Sequence, residues 1–341
     1  MNAQVGLLLC LMCLTAEARE KIDTVIMRNG DRLTGQILVM RHGQLSLKTD
    51  YLGTADIEWT DIARIESAQH FVVQHVDGFH YEGTLIAGDQ PRALVVSRAD
   101  GERTQLDFDE IDRVYAGDTG FSNRLTGSFS FGFDYTKATD VSSLNGSFET
   151  IYRAPSILWS LSAELNRTDS PDEGTLDRDS FAYTYQWLLR DSNFIAGLSA
   201  LERHEELGIE ARILIGAGLG RYVVQTSRSE LAALFGVAVN REWATGEAHA
   251  QENVEAVLAA NWRIYQFTSP KTNLRASLAL YPNLTDTGRH RSRFDLALRR
   301  ELASDFYFEL SLHSSYDSDP PDEEASNSDY GVTSSLGYSF Y

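Results

Sequence analysis

The chain has 341 residues, a formal net charge of −19, and two cysteines, Cys10 and Cys13. This acidic balance argues against nucleic acid as a partner, because nucleic-acid binding depends on Lys and Arg neutralising phosphates. Both cysteines lie close to the amino terminus, so we expect neither disulfides nor thiol chemistry in the rest of the chain. The length alone suggests two or three domains.

Residues 1–18 are predicted to be a secretory signal peptide. Gly6 to Leu14 forms an apolar core, and Ala16-Glu17-Ala18 places small residues at the two positions that cleavage requires. No Lys or Arg precedes the core, so the true start codon stays open. We expect both cysteines to be lost with this segment and the mature chain to act outside the cytoplasm.

A sequence repeat follows the signal. Asn29–Gly35 matches Asp77–Gly83 at an offset of 48, and Trp59–Ile65 matches Phe108–Val114 at an offset of 49. Two matches at nearly the same offset indicate a duplication.

Each copy of the repeat consists of short alternating segments joined by turn residues. This pattern predicts two small SH3-like or Sm-like β-barrels, at residues 19–70 and 71–118, that stabilise each other by stacking. His70, His75 and His80 are interpreted as solvated or edge-strand residues. No cysteine or carboxylate cluster accompanies them at the spacing of metal ligands.

Residues 119–341 predict a transmembrane antiparallel β-barrel of about twelve strands. Twelve segments of roughly ten residues alternate between apolar and polar side chains, and this is about the length that a tilted strand needs to cross a bilayer. In the last segment, Tyr330, Val332 and Leu336 share one face, opposite small and polar residues.

The connections between these segments alternate in length. Arg153–Ser156 is tight, whereas Thr168–Asp179 is longer and polar. Short periplasmic turns, longer external loops and an even strand number are typical of outer-membrane barrels. We therefore expect a barrel in the cell outer membrane, with the N-terminal module in the periplasm. A soluble periplasmic β-protein also alternates and stays an alternative.

Aromatic residues fall near the ends of the predicted strands. Trp159, Trp187 and Trp262 lie at the turn side, and Trp243 and Tyr281 lie at the loop side. Amphipathic rings settle at the level of the lipid headgroups, so we expect these residues to form two belts on the outer surface.

Charged residues at alternate positions are predicted to line the pore: Arg275, Arg291, Arg293, Asp295, Arg299 and Glu309. A row of arginines on one inward face would favour anions in an open lumen. Complete pairing across strands would instead seal the barrel. Barrels of eight strands are packed with side chains, and barrels of sixteen strands enclose an open channel. A barrel of twelve strands is intermediate, so an open and a sealed lumen are both physically reasonable.

Catalytic groupings are weak. Ser311, His313 and Glu309 share a predicted inward face, but residues two apart on one strand lie roughly 7 Å from each other, too far for a nucleophile and its base. The acidic residues within 317–324 are interpreted as a solvated charge run. We therefore assign no catalytic, cofactor or metal residues. An outer-membrane hydrolase, either a protease or a lipase, stays an alternative, because a twelve-stranded barrel can be an enzyme or a channel.

Three stretches carry a family resemblance: Arg124–Phe129, Gly216–Tyr222 and Gly331–Phe340. Through them, roughly residues 120–341 resemble the salt-induced outer membrane protein family, a group of proteobacterial outer-membrane β-barrels of unknown function. The resemblance implies location and fold, and it brings no catalytic residues.

Together these observations predict a non-enzymatic outer-membrane protein. It would act as a narrow small-solute channel, or as an envelope-structural barrel linked to salt or osmotic conditions. We expect outer-membrane lipid, lipopolysaccharide and the barrel-assembly machinery as partners, and we leave open a periplasmic partner for the small-barrel module.

Overall fold

The computed structural model describes residues 21–340 except 42, 77–78, 118–120, 137–140, 155, 172–173, 227, 247–248, 267–269, 304 and 322–324. The expected signal peptide and its cysteines lie outside the described residues. Regular structure in the described part consists of β-strands and short 3-10 turns, so the all-β prediction is confirmed. No helix among these residues is long and apolar enough to cross a bilayer.

The N-terminal module is a nine-stranded antiparallel sheet. Its strands are β1 Asp23–Met27, β2 Arg32–Arg41, β3 Gln44–Lys48, β4 Thr54–Glu58, β5 Ile62–His75, β6 His80–Ala87, β7 Ala93–Ser97, β8 Arg103–Asp107 and β9 Ile111–Ala116. They pair in the order β4-β3-β2-β1-β5-β6-β7-β8, and β9 pairs with both β2 and β5. Strands β1, β2, β9 and β5 therefore close a small barrel, which confirms a small β-barrel in this module, although the sequence predicts one for each copy.

Both copies of the repeat contribute to this one small barrel. The first half of β5 completes the first copy and its second half begins the second, so the expected boundary after residue 70 falls within a strand. The equivalent residues Trp59 and Phe108 stack with ring centroids 4.5 Å apart. One continuous apolar core serves both copies. A unit of about fifty residues has little interior of its own, and sharing a core compensates for this.

Twelve further strands form a closed antiparallel barrel, so the predicted strand number is confirmed. They are β10 Leu125–Thr136, β11 Val141–Arg153, β12 Ile157–Ser170, β13 Gly174–Leu188, β14 Asn193–His204, β15 Ile209–Gln225, β16 Ser229–Ala244, β17 Ala250–Gln266, β18 Thr272–Pro282, β19 His290–Ala303, β20 Phe306–Asp317 and β21 Ser328–Phe340. Strand β10 pairs with β21 from Gly127 opposite Phe340 to Phe131 opposite Leu336, and this pairing closes the barrel.

The outer face of this barrel is apolar. In β10, Phe129, Phe131 and Phe133 are 52–62% exposed, whereas Ser128 and Ser130, at alternate positions, are buried on the inner face. An outward apolar band with small polar residues inside is what a bilayer-spanning barrel requires, because its outer surface contacts lipid. The protein is therefore a transmembrane β-barrel of the outer-membrane type.

The two ends of the barrel differ in their connections. At one end, here called the turn end, two to five residues join successive strands. At the other, the loop end, three to ten residues do so. The expected loop at 168–179 is mostly strand, because β12 and β13 continue to pair as far as Ser170 and Gly174. Strands β12 and β13 have 14 and 15 residues, more than the roughly 9–11 that cross a bilayer, so this ladder extends beyond it.

Candidate functional site: the barrel interior and its two ends

The inward side chains of the barrel enclose a cavity of about 540 Å³. Small polar residues from neighbouring strands form much of its wall, among them Ser160, Ser162, Thr184 and Ser277. Their inward orientation follows from the period of two, since the alternate positions carry the lipid-facing residues. The interior is therefore lined by polar as well as apolar groups, and it is spacious enough for water.

All six residues that the sequence places in the lumen border this cavity: Arg275, Arg291, Arg293, Asp295, Arg299 and Glu309. Their charges are paired. Arg275 Nη1 lies 2.7 Å from a carboxylate oxygen of Glu149, and Arg299 Nη2 lies 2.8 Å from Glu309 Oε2. Opposite charges on adjacent and facing strands thus neutralise each other within the wall.

The two remaining lumen arginines, Arg291 and Arg293, reach carboxylates on strands that do not neighbour their own strand, β19. Arg291 donates two hydrogen bonds to Glu255, at 2.7 and 2.8 Å. Arg293 donates to Asp295 on its own strand at 2.9 Å and to Glu164 on β12 at 3.0 Å. The bond to Glu164 crosses the interior, because β12 and β19 are not neighbours in the barrel. Part of the cavity is therefore spanned by side chains.

Tyr281 departs from the expected outer aromatic belt. It lies opposite Arg291 in the β18–β19 ladder, and the Arg291 guanidinium is 4.8 Å from the centre of its ring. Directly opposed residues of an antiparallel pair lie on the same face, so the inward orientation of Arg291 places Tyr281 inside as well. The prediction of an outward Tyr281 was therefore wrong.

A buried ionic network lies at the loop end. Arg289 lies in the β18–β19 loop, and its Nη2 is 2.7 Å from Asp317 Oδ2; it also donates to Glu242. Arg212 Nη2 reaches the same Glu242 carboxylate at 2.7 Å. All four side chains are less than 5% exposed. Burial alone would lower the pKa of Arg289, but its bonds to Asp317 and Glu242 outweigh this effect and raise the pKa above its usual range.

The place of Asp317 corrects the interpretation of the acidic segment as a solvated charge run. Asp317 is fully buried because Arg289 folds inward to meet it. Residues 322–324, which belong to the same segment, lie outside the described part of the chain.

The N-terminal module covers the turn end. Arg113 of β9 is buried, and its Nη2 lies 3.0 Å from Glu230 Oε2 at the start of β16. The neighbouring Asp112 accepts a hydrogen bond from Gln225 of the barrel at 3.0 Å. Burial would lower the pKa of Arg113, but Asp112 and Glu230 together raise it above its usual range. This pair is therefore a fully charged contact between the two parts of the protein.

Further contacts hold the module at the rim of the turn end. Lys271 Nζ lies 2.7 Å from Asp56 Oδ2, and the Arg190 guanidinium stacks over the Phe79 ring at 5.2 Å. A small cavity of about 70 Å³ lies between the module and the barrel, beside Arg153. The docking surface is thus mainly polar and ionic, which is typical of domains that move relative to each other.

Ser311 and His313 do not engage each other. The Ser311 hydroxyl shares a hydrogen bond of 2.8 Å with the Thr333 hydroxyl, and His313 Nε2 lies 3.4 Å from Asp329 Oδ2. In the module, His75 Nε2 lies 3.4 Å from a Glu110 carboxylate oxygen. These side chains therefore show no nucleophile-and-base geometry.

No curated protein sequence matches this chain significantly. Solved structures match the barrel: the NanC porin at 9% identity and TM-score 0.39, covering 63% of this chain and 99% of that one. The translocator domain of the autotransporter NalP from Neisseria meningitidis matches at 12% identity and TM-score 0.37, covering 66% and 90%. An outer membrane channel from Pseudomonas putida F1 matches at 9% identity and TM-score 0.36, covering 63% of this chain and 95% of that one. At these levels no functional statement follows.

The sequence also matches a family model, described as "Protein of unknown function, DUF481", over residues 129–340. This range runs from the first transmembrane strand to the end of the last one. The match covers well over half of the chain and excludes the duplicated module. The protein thus belongs to the DUF481 family.

Proposed function

We propose that the protein is a narrow channel for small polar solutes in the outer membrane, and that the present structure is its closed state. The observation that carries this proposal is a cavity of about 540 Å³, with charged and polar side chains in its wall, that lies between two closures built from side-chain ion pairs. Closures of this kind open when a few charged contacts separate, without unfolding of any strand.

The proposed orientation places the module in the periplasm. The module and the carboxyl end of β21 both lie at the turn end, and short turns face the periplasm in barrels of this type. Outer-membrane lipid and lipopolysaccharide would surround the apolar belt, and the barrel-assembly machinery would insert the protein. The module would also be the part available to a periplasmic partner. The activity is proposed to be non-enzymatic, because Ser311 and His313 have other partners.

The module is proposed to gate the turn end. Its contact between Lys271 and Asp56 is partly exposed, so dissolved ions screen it, whereas the buried pair of Arg113 and Glu230 is screened much less. High salt would therefore loosen the rim before the centre of the interface. This is the physical form that a link to salt or osmotic conditions would take.

A sealed, envelope-structural barrel is the second candidate. It is favoured by the pairing of Arg291, Arg293 and Arg299 with carboxylates inside the lumen. Paired arginines leave little free positive charge, so they also weaken the expectation of anion preference. This candidate predicts no conductance under any condition that preserves the barrel.

Conductance of refolded full-length protein in planar bilayers tests the proposal. Asp56→Cys with Lys271→Cys, joined by a short bismaleimide, would hold the module on the barrel. The channel proposal predicts openings in the uncross-linked protein that become rarer after cross-linking. The same double variant without cross-linker is the control. Silence in both samples, and in a variant with a weakened module contact, would establish the sealed barrel instead.

A further inference from the structure

Four side chains meet just inside the loop end, at a place not used by the network around Arg289. They are His204 at the end of β14, Glu206 in the following 3-10 turn, His313 in β20 and Asp329 at the start of β21; here they are called the loop-end cluster. Two imidazoles and two carboxylates form a donor set that transition metals accept.

The distances within the loop-end cluster match those between ligands of one ion. His204 Nε2 lies 3.1 Å from Asp329 Oδ2 and 3.2 Å from Glu206 Oε2. The same oxygen of Asp329 lies 3.4 Å from His313 Nε2. Ligands at about 2.0–2.2 Å from a tetrahedral zinc ion are separated by about 3.3–3.6 Å. A small outward shift of each donor would therefore admit the ion.

Burial supplies a second, independent indication of a ligand. His204 is completely buried, and Glu206 Oε2 is inaccessible to solvent and makes no well-formed hydrogen bond; its ion-pair partner is His204 Nε2, at 3.2 Å. A buried carboxylate oxygen that lacks a well-formed hydrogen bond is costly, and an ion bound at that point would reduce the cost. We propose that the loop-end cluster binds a divalent transition-metal ion, in the first instance Zn²⁺.

The surroundings of the cluster fit this assignment. Glu202 Oε1 lies 3.9 Å from His204 Nδ1, and Arg212 holds Glu202 at 3.1 Å. A carboxylate beside the second ring nitrogen is a common support for a metal-binding histidine. Arg178 lies 3.5 Å from Asp329 Oδ2 and orients it, while the two carboxylates of the cluster compensate a dication.

The close packing of His313 is also consistent with a fixed ligand. A Cβ added to Gly331, its partner in the β20–β21 ladder, would lie 2.4 Å from His313 Cε1. The absence of a side chain at this position leaves room for the imidazole ring, whose Nε2 lies 3.4 Å from Asp329 Oδ2.

The ion would connect opposite parts of the wall. Strands β14 and β21 are separated by β10, β11, β12 and β13 along the shorter path around the barrel. A metal held by His204 on one side and Asp329 on the other would thus span the mouth of the lumen and fix it closed.

Calcium and magnesium are disfavoured as occupants, because they prefer oxygen ligands to imidazole. A proton shared between His204 and the carboxylates is the competing occupant, and the metal must displace it. Binding should therefore weaken as the pH falls, since ligating histidines are neutral.

The test uses refolded full-length protein titrated with ZnCl₂ by calorimetry, with Co²⁺ as a spectroscopic replacement. We expect one strong site per chain and the intense visible absorption of tetrahedral cobalt. Glu206→Gln and His313→Ala should each weaken binding by at least about tenfold. His290→Ala removes an exposed histidine at the same end of the barrel, so it should leave the affinity unchanged.

Heat-dependent gel mobility establishes that each variant is folded before the titrations are compared. A folded wild type that binds no Zn²⁺ would overturn the proposal. So would unchanged affinity in both Glu206→Gln and His313→Ala, because the bound ion would then lie elsewhere, for example at the histidines of the module. Equal competition by Mg²⁺ or Ca²⁺ would contradict the imidazole ligands.

Discussion

Replacing Arg113 by Ala should release the module from the turn end of the barrel. The guanidinium is only 4% exposed and lies 3.0 Å from Glu230, which is itself buried. Removing one partner of a buried ion pair typically costs about 3–5 kcal/mol. Arg153 lies 3.7 Å from the same carboxylate and retains part of the compensation. We therefore expect about 3 kcal/mol, a shift of roughly 150-fold in the docking equilibrium.

The docked fraction can be followed by the rate of bismaleimide cross-linking between cysteines placed at residues 56 and 271. Arg113→Ala should reduce this rate strongly, and Arg103→Ala, which removes an exposed arginine of the same module, should leave it unchanged. Combining Arg113→Ala with Glu230→Gln measures the coupling between the two groups. A coupling energy under about 0.5 kcal/mol would refute the reasoning, because contacting groups in a shared network are expected to exceed it.

Three further outcomes follow from the structure. Arg289→Ala should lower the free energy of unfolding of the barrel by about 3 kcal/mol, because it removes one of two cations from a pair of buried carboxylates and leaves Arg212 as the other. The shift of the urea unfolding midpoint measures this, with exposed Arg300→Ala as the control. Gly331→Ala should displace the imidazole that packs on it and weaken Zn²⁺ binding, whereas Gly146→Ala, with open space around its Cβ, should do neither. Burial, and to a lesser degree a nearby arginine, lower the pKa of His80 below 6.5, so the unfolded state binds the proton more readily. Thermal unfolding should therefore show the module losing stability as the pH falls below about 6.5, with His80→Gln removing this dependence; an unchanged pH profile in that variant would contradict the assignment.

Much of the barrel can be predicted from the sequence, because each strand shows an alternation of apolar and polar residues within its own segment. Period-two alternation in segments such as β10 and β21 is sufficient to count strands and to assign their faces. The same alternation identifies the lumen charges. It does not identify their partners: Arg293 meets Glu164 only because closure of the barrel brings β19 and β12 face to face.

The functional residues that the sequence did not reveal lie in connections between strands, or depend on contacts with distant parts of the chain, where the alternation of side chains gives no information. Arg289 and Glu206 are in connections, and nothing in their local sequence shows that they turn inward. His204 gains its significance from Asp329, which is 125 positions further along the chain. Arg113 resembles any surface arginine of a small barrel until the module is placed against Glu230. Contacts of this kind require the tertiary arrangement.

Strand β5 has a consequence for how the module folds. Because this strand belongs to both copies, the first copy cannot reach its final pairing until β9, at residues 111–116, has joined β2 and β5. The duplicated halves should therefore fold in a single cooperative step rather than one after the other. Trp59, buried between them, is well placed to report that step by fluorescence. A fragment cut within β5 would leave each half with an unpaired edge, which invites aggregation.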